Sequence, residues 1–181
     1  PPMSALAWPL QRNTIRRQLP NNTFGAVRNG GTRNHAGWDL YALPLTTCYA
    51  VADGVITTPP FSRTYGNMLL LAFQHGDRTL YAAYCHLSFA FVRNGDRVAR
   101  SQPIGTTGNT GNAGTMQGED QHLHFEIRTL KYPASGLGGR IDPAQLYGRA
   151  PINTTIVQGH GAEPPVTGVT GLRVPGYNVL P

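Results

Sequence analysis

The segment from Gln121 to Arg128 reads Gln-His-Leu-His-Phe-Glu-Ile-Arg and alternates polar and apolar residues over its full length. Alternation of this kind is typical of a β-strand, whose successive side chains point to opposite faces. The apolar face comprises Leu123, Phe125 and Ile127. The pattern predicts a strand that buries this face in a core and presents His122 and His124 side by side on the other face.

Turn-rich sequence around this segment predicts further short strands. Thr47 to Ile56 is expected to form a strand that enters a turn at Asp53-Gly54, and the runs 68–73 and 79–87, separated by a glycine-containing turn, predict a β-hairpin. Residues 105–118 predict a loop, and residues 142–147 predict one short helical turn. We therefore expect a mainly β fold, an antiparallel β-sheet or sandwich with long loops around an open cleft and little helix.

The composition supports a single globular domain. The chain has 181 residues with 22 glycines and 15 prolines, and charged residues make up only 13%, about half of the usual quarter. A coiled coil, a bundle of long helices and disorder throughout are therefore poor fits, whereas glycine and proline suit short strands and turns. We predict an N-terminal arm over residues 1–23, a folded domain over 24–148 and a Pro/Gly-rich tail over 149–181.

The net charge of +6 is almost entirely due to arginine, because fourteen of the fifteen cationic side chains are arginine and only Lys131 is a lysine. Guanidinium groups bind carboxylates and phosphates in bidentate geometry, which is compatible with an anionic polymer or an acidic peptide. We expect no nucleic-acid partner, because the aromatic and basic stripe used for base stacking is missing. The longest apolar run, residues 68–73, is too short for a membrane span.

A second histidine motif, His35-Ala-Gly-Trp-Asp39, places a histidine and an aspartate four residues apart. On an extended strand their side chains would be about 13 Å apart, too far to share a metal ion. We expect the backbone to curve between them at Gly37, the residue that permits it. Combined with the histidines at 122 and 124, the motif predicts a metal site. Three protein ligands and an open position are typical of catalytic zinc, which suits amide hydrolysis.

A further histidine, His86, lies on the second strand of the predicted hairpin. Strict alternation places His86 on the same face as Tyr84 and directs Cys85 away from the histidine cleft. Cys48 also lies on a predicted strand. Cys48 and Cys85 are therefore candidates either for a disulfide that clamps two strands or for a pair of buried free thiols.

The chain resembles the lysostaphin-type (LytM-type) zinc endopeptidases of peptidoglycan from about Phe24 to Tyr147. The residues that carry the resemblance are, in chain order, Phe24-Gly25 with Arg28, His35-x-Gly37-x-Asp39, Val51-Ala52-Asp53-Gly54-Val55, Tyr84-x-His86-Leu87-Ser88, Gly95-Asp96-x-Val98, Ile104-Gly105-x-x-Gly108-Asn109-Thr110-Gly111 and His122-Leu123-His124-Phe125-Glu126. Each motif is common by itself, but their order and spacing together are specific.

The resemblance implies that His35, Asp39 and His124 bind Zn²⁺ and that His86 and His122 are the unligated catalytic pair. It implies a zinc endopeptidase that hydrolyses amide bonds in the peptide cross-links of peptidoglycan, either D-alanyl bridges or glycine-rich bridges. The location implied is extracytoplasmic, in the periplasm or delivered to the cell wall. The family commonly has a short Gly-Pro step before the second histidine pair, whereas this chain has the longer loop 115–120.

A second hypothesis is a non-catalytic module that binds the cell wall or activates a hydrolase. All five site residues are present, which favours the enzyme. The chain opens on Pro1 without the pattern of a signal peptide, and we expect that sequence upstream has been lost. Three settings fit: a periplasmic morphogenesis enzyme, a phage lysin, or a secreted antibacterial toxin. An immunity or regulatory protein is therefore a further candidate partner.

Overall fold

The computed structural model describes residues 5–160. The strands in this range are β1 (Arg12–Asn13), β2 (Gly25–Arg28), β3 (Arg33–His35), β4 (Trp38–Tyr41), β5 (Thr47–Tyr49), β6 (Gly54–Thr57), β7 (Asn67–His75), β8 (Arg78–Ala90), β9 (Arg97–Val98), β10 (Pro103–Thr107), β11 (His122–Arg128), β12 (Arg140–Ile141) and β13 (Ile156–Val157). Short 3-10 turns occupy Arg16–Gln18, Pro20–Asn22, Asn29–Gly31, Gly111–Ala113 and Gly118–Asp120, and the α-helix is α1 (Ala144–Tyr147). No helix in residues 5–160 has the length and apolar character needed to cross a membrane.

A large antiparallel sheet forms the centre of the structure, which confirms the predicted fold class. Its strands follow the order β12, β11, β8, β7, β6 and β9, while β4 pairs with β11, and β10 pairs with both β8 and β5. The longest strand, β8, has 13 residues and contacts β7, β11 and β10. This strand therefore joins the two halves of the sheet.

Alternation along β11 is confirmed. The three residues of its apolar face are fully buried in the main hydrophobic core, which also contains Trp38, Leu71 and Tyr84. The polar face is buried as well, so every residue of β11 is shielded from solvent. Loops and the N-terminal segment cover this second face, and the polar side chains on it must therefore find partners inside the protein.

The predicted hairpin is confirmed with longer strands. β7 and β8 pair up to the positions of His75 and Arg78, and a two-residue turn with Gly76 at φ 65° connects them. The segment predicted as a strand over residues 47–56 forms two strands, because the chain bends at residues 51–53, next to the predicted turn at Asp53-Gly54. β5 pairs with β10, whereas β6 pairs with β7 and β9, so these strands occupy different places in the sheet.

Both predicted extensions contribute to the packed structure. Leu10 and Ile15, from the predicted arm, are fully buried in the main core. β1 from the arm pairs with β13 from the predicted tail, with Asn13 opposite Ile156. The boundaries at residues 23 and 148 stay predictions, and the larger part of the predicted tail, residues 161–181, lies outside the described residues.

Gly37 lies between β3 and β4, where the chain passes close to β11. A Cβ atom at this position would lie 2.2 Å from the carbonyl oxygen of Phe125, and φ is not in the left-handed region. The reason for glycine therefore differs from the one expected from the sequence. Glycine is needed here because a side chain would prevent the close contact between the two backbones. It is not needed for a backbone conformation that other residues rarely adopt.

A Gly37→Ala substitution is expected to reduce the free energy of unfolding by about 1–3 kcal/mol, because the added methyl group forces two paired strands apart. Urea unfolding monitored by tryptophan fluorescence measures this change. Gly138→Ala is the matched control, since an added Cβ there contacts nothing within 4 Å. Equal unfolding midpoints for the two variants would contradict the prediction.

Candidate metal centre and catalytic site

Three buried side chains meet around one oxygen atom, Oδ1 of Asp39. His35 Nε2 lies 3.1 Å from this atom and His124 Nδ1 lies 2.9 Å from it. The three candidate donor atoms all lie within 4.8 Å of one another. Two imidazole nitrogens and one carboxylate oxygen form a donor set found in catalytic zinc sites, which use three protein ligands. The residues implied as ligands are therefore brought together, and their donor set fits zinc.

The pairing of β4 with β11 sets this geometry. Asp39 and His124 are directly opposite each other in the two strands, and opposed residues point to the same face with their Cβ atoms about 4.5–5.5 Å apart. His35 ends β3, and the close passage at Gly37 returns the chain to the same face. Local strand geometry thus brings together two sequence motifs that lie far apart in the chain.

Hydrogen bonds orient both imidazole rings. His35 Nδ1 lies 2.8 Å from the carbonyl oxygen of Thr23, which can only accept, so Nδ1 carries the proton and the Nε2 lone pair faces Asp39. His124 Nε2 lies 3.4 Å from a carboxylate oxygen of Glu126. Burial alone would lower the pKa of His124, but hydrogen bonds with Asp39 and Glu126 raise it to about 9. The same carboxylates would stabilise a metal cation at Nδ1.

Glu126 is fully buried beneath this cluster and is neutralised by two arginines. Arg128 Nε donates to one carboxylate oxygen at 2.6 Å, and Arg140 Nε donates to the other at 3.0 Å. Burial opposes ionisation, but the hydrogen bond and charge of His124, together with the arginines, lower the pKa of Glu126 to about 2. The carboxylate therefore stays ionised and fixes the ring of His124, as carboxylates do behind many metal ligands.

The carboxyl group of Asp39 is also ionised. Burial alone would raise its pKa, but the three neighbouring imidazoles of His122, His124 and His35 hold the pKa well below its usual range. Arg28 Nη2 donates to Oδ2 at 2.9 Å. The negative charge that a metal ligand needs is thus present throughout the neutral pH range.

His86 and His122 lie beside the three-residue cluster, with ring centroids 5.3 Å apart. His86 Nδ1 lies 2.8 Å from the carbonyl oxygen of Thr110, and His122 Nδ1 lies 2.7 Å from that of Asp120. Each Nδ1 therefore donates, which leaves Nε2 as an acceptor. His122 Nε2 is 3.6 Å from Asp39 Oδ1, so its acceptor atom faces the cluster.

Burial lowers the pKa of both histidines. For His86, burial and the neighbouring His124 and His122 lower the pKa to about 4. For His122, burial outweighs the opposing effect of Asp39, and the pKa is also lowered. Both rings are therefore neutral near pH 7 and can accept a proton.

His86 faces the cleft because β8 is interrupted at this residue. Its φ is +62°, and the pairing of β8 with β7 shifts between the positions of Tyr84 and Leu87. An extra residue of this kind is a β-bulge, which redirects side chains. Strict alternation along β8 therefore predicted the wrong faces of the sheet for Tyr84 and Cys85. Tyr84 lies in the core, while Cys85 is directly opposite His124 and shares the site's face of the sheet.

The candidate disulfide between Cys48 and Cys85 is not formed, and both thiols are free and buried. Cys48 belongs to the main core, whereas Cys85 packs with Met68 and Leu70 in a separate cluster. The sheet therefore separates the two sulfur atoms. Burial raises the pKa of both Cys48 and Cys85 well above the usual value of a thiol, which keeps both thiols protonated and unreactive.

Two cleft residues were missed by reasoning from the sequence. A cavity of about 390 Å³ contains all five predicted site residues and is also lined by Arg16 and Tyr65. Arg16 forms an ion pair with Asp39 at 3.3 Å, and Tyr65 Oη lies 3.4 Å from Glu126. Neither residue stands in a recognisable motif, because the contacts join segments that are distant in sequence.

Comparison with known proteins agrees with this geometry. Residues 33–143, more than half of the chain, match the family described as Peptidase family M23. The chain is 34% identical over 111 residues to the peptidoglycan DD-endopeptidase ShyA of Vibrio cholerae serotype O1, a match that covers 61% of this chain and 24% of that protein. It is 37% identical over 114 residues to the DD-carboxypeptidase/endopeptidase Mpg of Neisseria meningitidis serogroup B, covering 63% and 24%.

A solved structure supports the same relationship. The catalytic domain of the antimicrobial peptidase lysostaphin from Staphylococcus simulans superposes with a TM-score of 0.54 at 25% identity, and the match covers 82% of this chain and all of that domain. The chain spans about a quarter of the length of the two curated relatives. On the extent of the family match, the chain belongs to peptidase family M23, a family of metallopeptidases.

Proposed function

We propose that this chain is the catalytic part of a zinc-dependent endopeptidase that hydrolyses amide bonds in the peptide cross-links of peptidoglycan. The observation that carries the proposal is the arrangement around Asp39, where His35 and His124 complete a three-donor cluster and two neutral histidines stand beside it. The related proteins include a peptidoglycan DD-endopeptidase, which supports the substrate class.

The chain's own residues divide into two roles. His35, Asp39 and His124 would hold the metal ion, which when bound supplies a Lewis acid that polarises the scissile carbonyl and lowers the pKa of a water molecule. His86 and His122 present unprotonated Nε2 atoms that can accept the proton of the attacking water and return it to the leaving amine. Once protonated, either ring can also donate a hydrogen bond to the developing oxyanion.

We further propose that the bond cut is a D,D-peptide bond in directly cross-linked stems. Two relatives bear names that specify DD activity, and the basic cleft, with Arg28 and Arg33 among its lining residues, suits an anionic stem peptide. An enzyme that acts on this substrate works outside the cytoplasm, where peptidoglycan is found.

Substitution of the proposed residues separates metal binding from proton transfer. His122→Ala is expected to reduce cleavage of purified sacculi by about 10²–10⁴-fold while retaining bound zinc, because His122 is not among the three donors. His35→Ala is expected to lose both zinc and cleavage. Muropeptide analysis by liquid chromatography and metal analysis of the purified proteins measure the two effects.

His75→Ala serves as the control, since His75 lies at the end of the hairpin, away from the cleft, and both properties should be unchanged. Cleavage by the His122→Ala variant at the rate of the unaltered chain would contradict the assignment. Binding of sacculi without cleavage by the unaltered, zinc-loaded chain would instead support a non-catalytic cell-wall-binding or hydrolase-activating module.

The choice of bond is tested with two kinds of sacculi. We expect cleavage of sacculi with direct D-alanyl cross-links and at least about tenfold slower cleavage of sacculi with pentaglycine bridges, because a site shaped for one amide rejects another through lost contacts. Mass spectrometry of the released fragments identifies the bond. Release of fragments ending in glycine at the faster rate would assign a glycyl endopeptidase.

The lowered pKa of His86 also has a consequence for stability. The unfolded chain takes up a proton on this histidine near pH 6.5, whereas the folded protein does so only near pH 4. The unfolded state therefore binds more protons between these values, and the stability contributed by neutral His86 is lost as the pH falls from about 6.5 to 4. The shift from 6.5 to about 4 corresponds to at most about 3–4 kcal/mol.

In chelator-treated protein, His86→Gln is expected to flatten the decrease in the free energy of unfolding between pH 7 and pH 4. Urea titrations at a series of pH values measure it. His75→Gln, at the half-buried last position of β7, is the control and should follow the unaltered chain. A His86→Gln variant with the same pH dependence as the unaltered chain would be incompatible with a buried, neutral His86.

A further inference from the structure

The two carboxylate oxygens of Asp39 have different neighbours. Oδ1 faces His35 and His124, whereas Oδ2 forms ion pairs with Arg28 at 2.9 Å and with Arg16 at 3.3 Å. The Asp39 side chain is 3% exposed, and the side chains of Arg16 and Arg28 are 12% and 23% exposed. Both ion pairs are thus largely shielded from solvent, and they leave one oxygen of Asp39 free for a metal ion.

Core packing places Arg16 at this position. Ile15 is fully buried and forms a β-bridge with Leu40, the residue after Asp39 in β4. The next residue of the arm therefore lies beside the carboxylate. Asn22, which is also buried, accepts a hydrogen bond from Arg16 Nη2 at 2.7 Å through its side-chain oxygen. The guanidinium group is thus held from two sides rather than resting on the surface.

Arg16 also contacts the loop that carries His122. Its Nη1 donates to the carbonyl oxygen of Asp120 at 3.2 Å, and this is the same oxygen that accepts the hydrogen bond of His122 Nδ1 at 2.7 Å. The neighbouring Arg17 Nε donates to the Asp120 carboxylate at 2.6 Å. One guanidinium group therefore contacts both the Asp39 carboxylate and the carbonyl group that orients His122.

We infer that Arg16 is a positioning residue that couples the proposed metal ligand Asp39 to the proposed catalytic histidine His122. Arg28 shares the contact with Asp39 but not the contact with Asp120. Loss of Arg16 leaves Oδ2 of Asp39 with Arg28 alone, which loosens the carboxylate, and it removes a donor that fixes the Asp120 carbonyl and with it the ring of His122. The inference rests on the proposed function, because it takes Asp39 as a metal ligand.

The test compares Arg16→Gln with Arg12→Gln, a substitution of an exposed arginine in β1 of the same arm. We expect Arg16→Gln to bind zinc about 10–100-fold more weakly, as is usual when a partner of a metal ligand is removed. Its Co²⁺-substituted form should show a changed visible absorption spectrum, because the coordination by Asp39 changes. We also expect kcat to fall at least about tenfold with little change in KM.

Three measurements test whether Arg16 is a positioning residue: zinc competition with a chelating dye, the cobalt spectrum, and steady-state cleavage of a muropeptide dimer. Arg12→Gln should match the unaltered chain in all three. An Arg16→Gln variant that also matches the unaltered chain would overturn the inference. A purely structural role would lower the unfolding midpoint without changing the cobalt spectrum of the folded fraction, and that result would overturn it too.

Arg16→Lys keeps the test decisive if Arg16→Gln does not fold. A single ammonium group keeps the charge beside Asp39 but cannot contact Asp39 and the Asp120 carbonyl in the same planar arrangement. We expect near-normal zinc affinity and a reduced kcat, and an unchanged kcat would contradict the coupling.

Failure of the proposed function gives a different pattern, because cobalt binding would still respond to Arg16 while no muropeptide is cleaved. Absence of any cobalt binding by the unaltered chain would refute both.

Discussion

The antiparallel pairing of β4 with β11 is the constraint on which the site depends. It places Asp39 opposite His124, and it requires the close backbone approach at Gly37. The other edge of β11 pairs with β8, the strand that carries His86. Because a shift of one residue in register would turn every side chain to the opposite face, the five site residues can meet only in the register observed.

The second consequence of this pairing is that polar groups are enclosed on the face of β11 opposite the core. Such groups are stable only when each has a partner. The carboxylate of Glu126 accepts hydrogen bonds from two arginines and orients His124. The carboxylate of Asp39 forms ion pairs with two other arginines through the oxygen that faces away from His35 and His124. The arginine-rich composition therefore has a structural use here, in addition to any attraction for an anionic substrate.

Local patterns in the sequence predicted those parts of the structure that depend on local geometry. The alternation of β11, the β7–β8 hairpin and the short helical turn near residue 144 follow from strand periodicity and turn residues, and the structure confirms them. The five candidate site residues were also recognisable, because their spacing in two short motifs and one strand resembles a known family. The structure brings these five residues together in one cleft.

Features that depend on contacts between distant segments were not predictable in this way. The faces of Tyr84 and Cys85 were predicted wrongly because alternation assumes an uninterrupted strand, whereas β8 has a bulge at His86 that depends on its pairing with β7. The sequence left a disulfide and two free thiols as alternatives for Cys48 and Cys85, because the spacing of two cysteines does not show on which side of a sheet each lies; the structure has the free thiols. Arg16 was not identified because it contacts Asp120 across a separation of 104 residues.

The hydrogen bond from His35 to the carbonyl group of Thr23 shows that the residues needed to orient the proposed site extend beyond the segment that matches the family. The family match begins at residue 33, yet one of the implied ligands is oriented by a backbone atom ten residues earlier. Transplanting residues 33–143 alone into another scaffold would leave that imidazole free to rotate. A functional graft of this site has to include the arm, together with the strand from residues 156–157 that pairs with it.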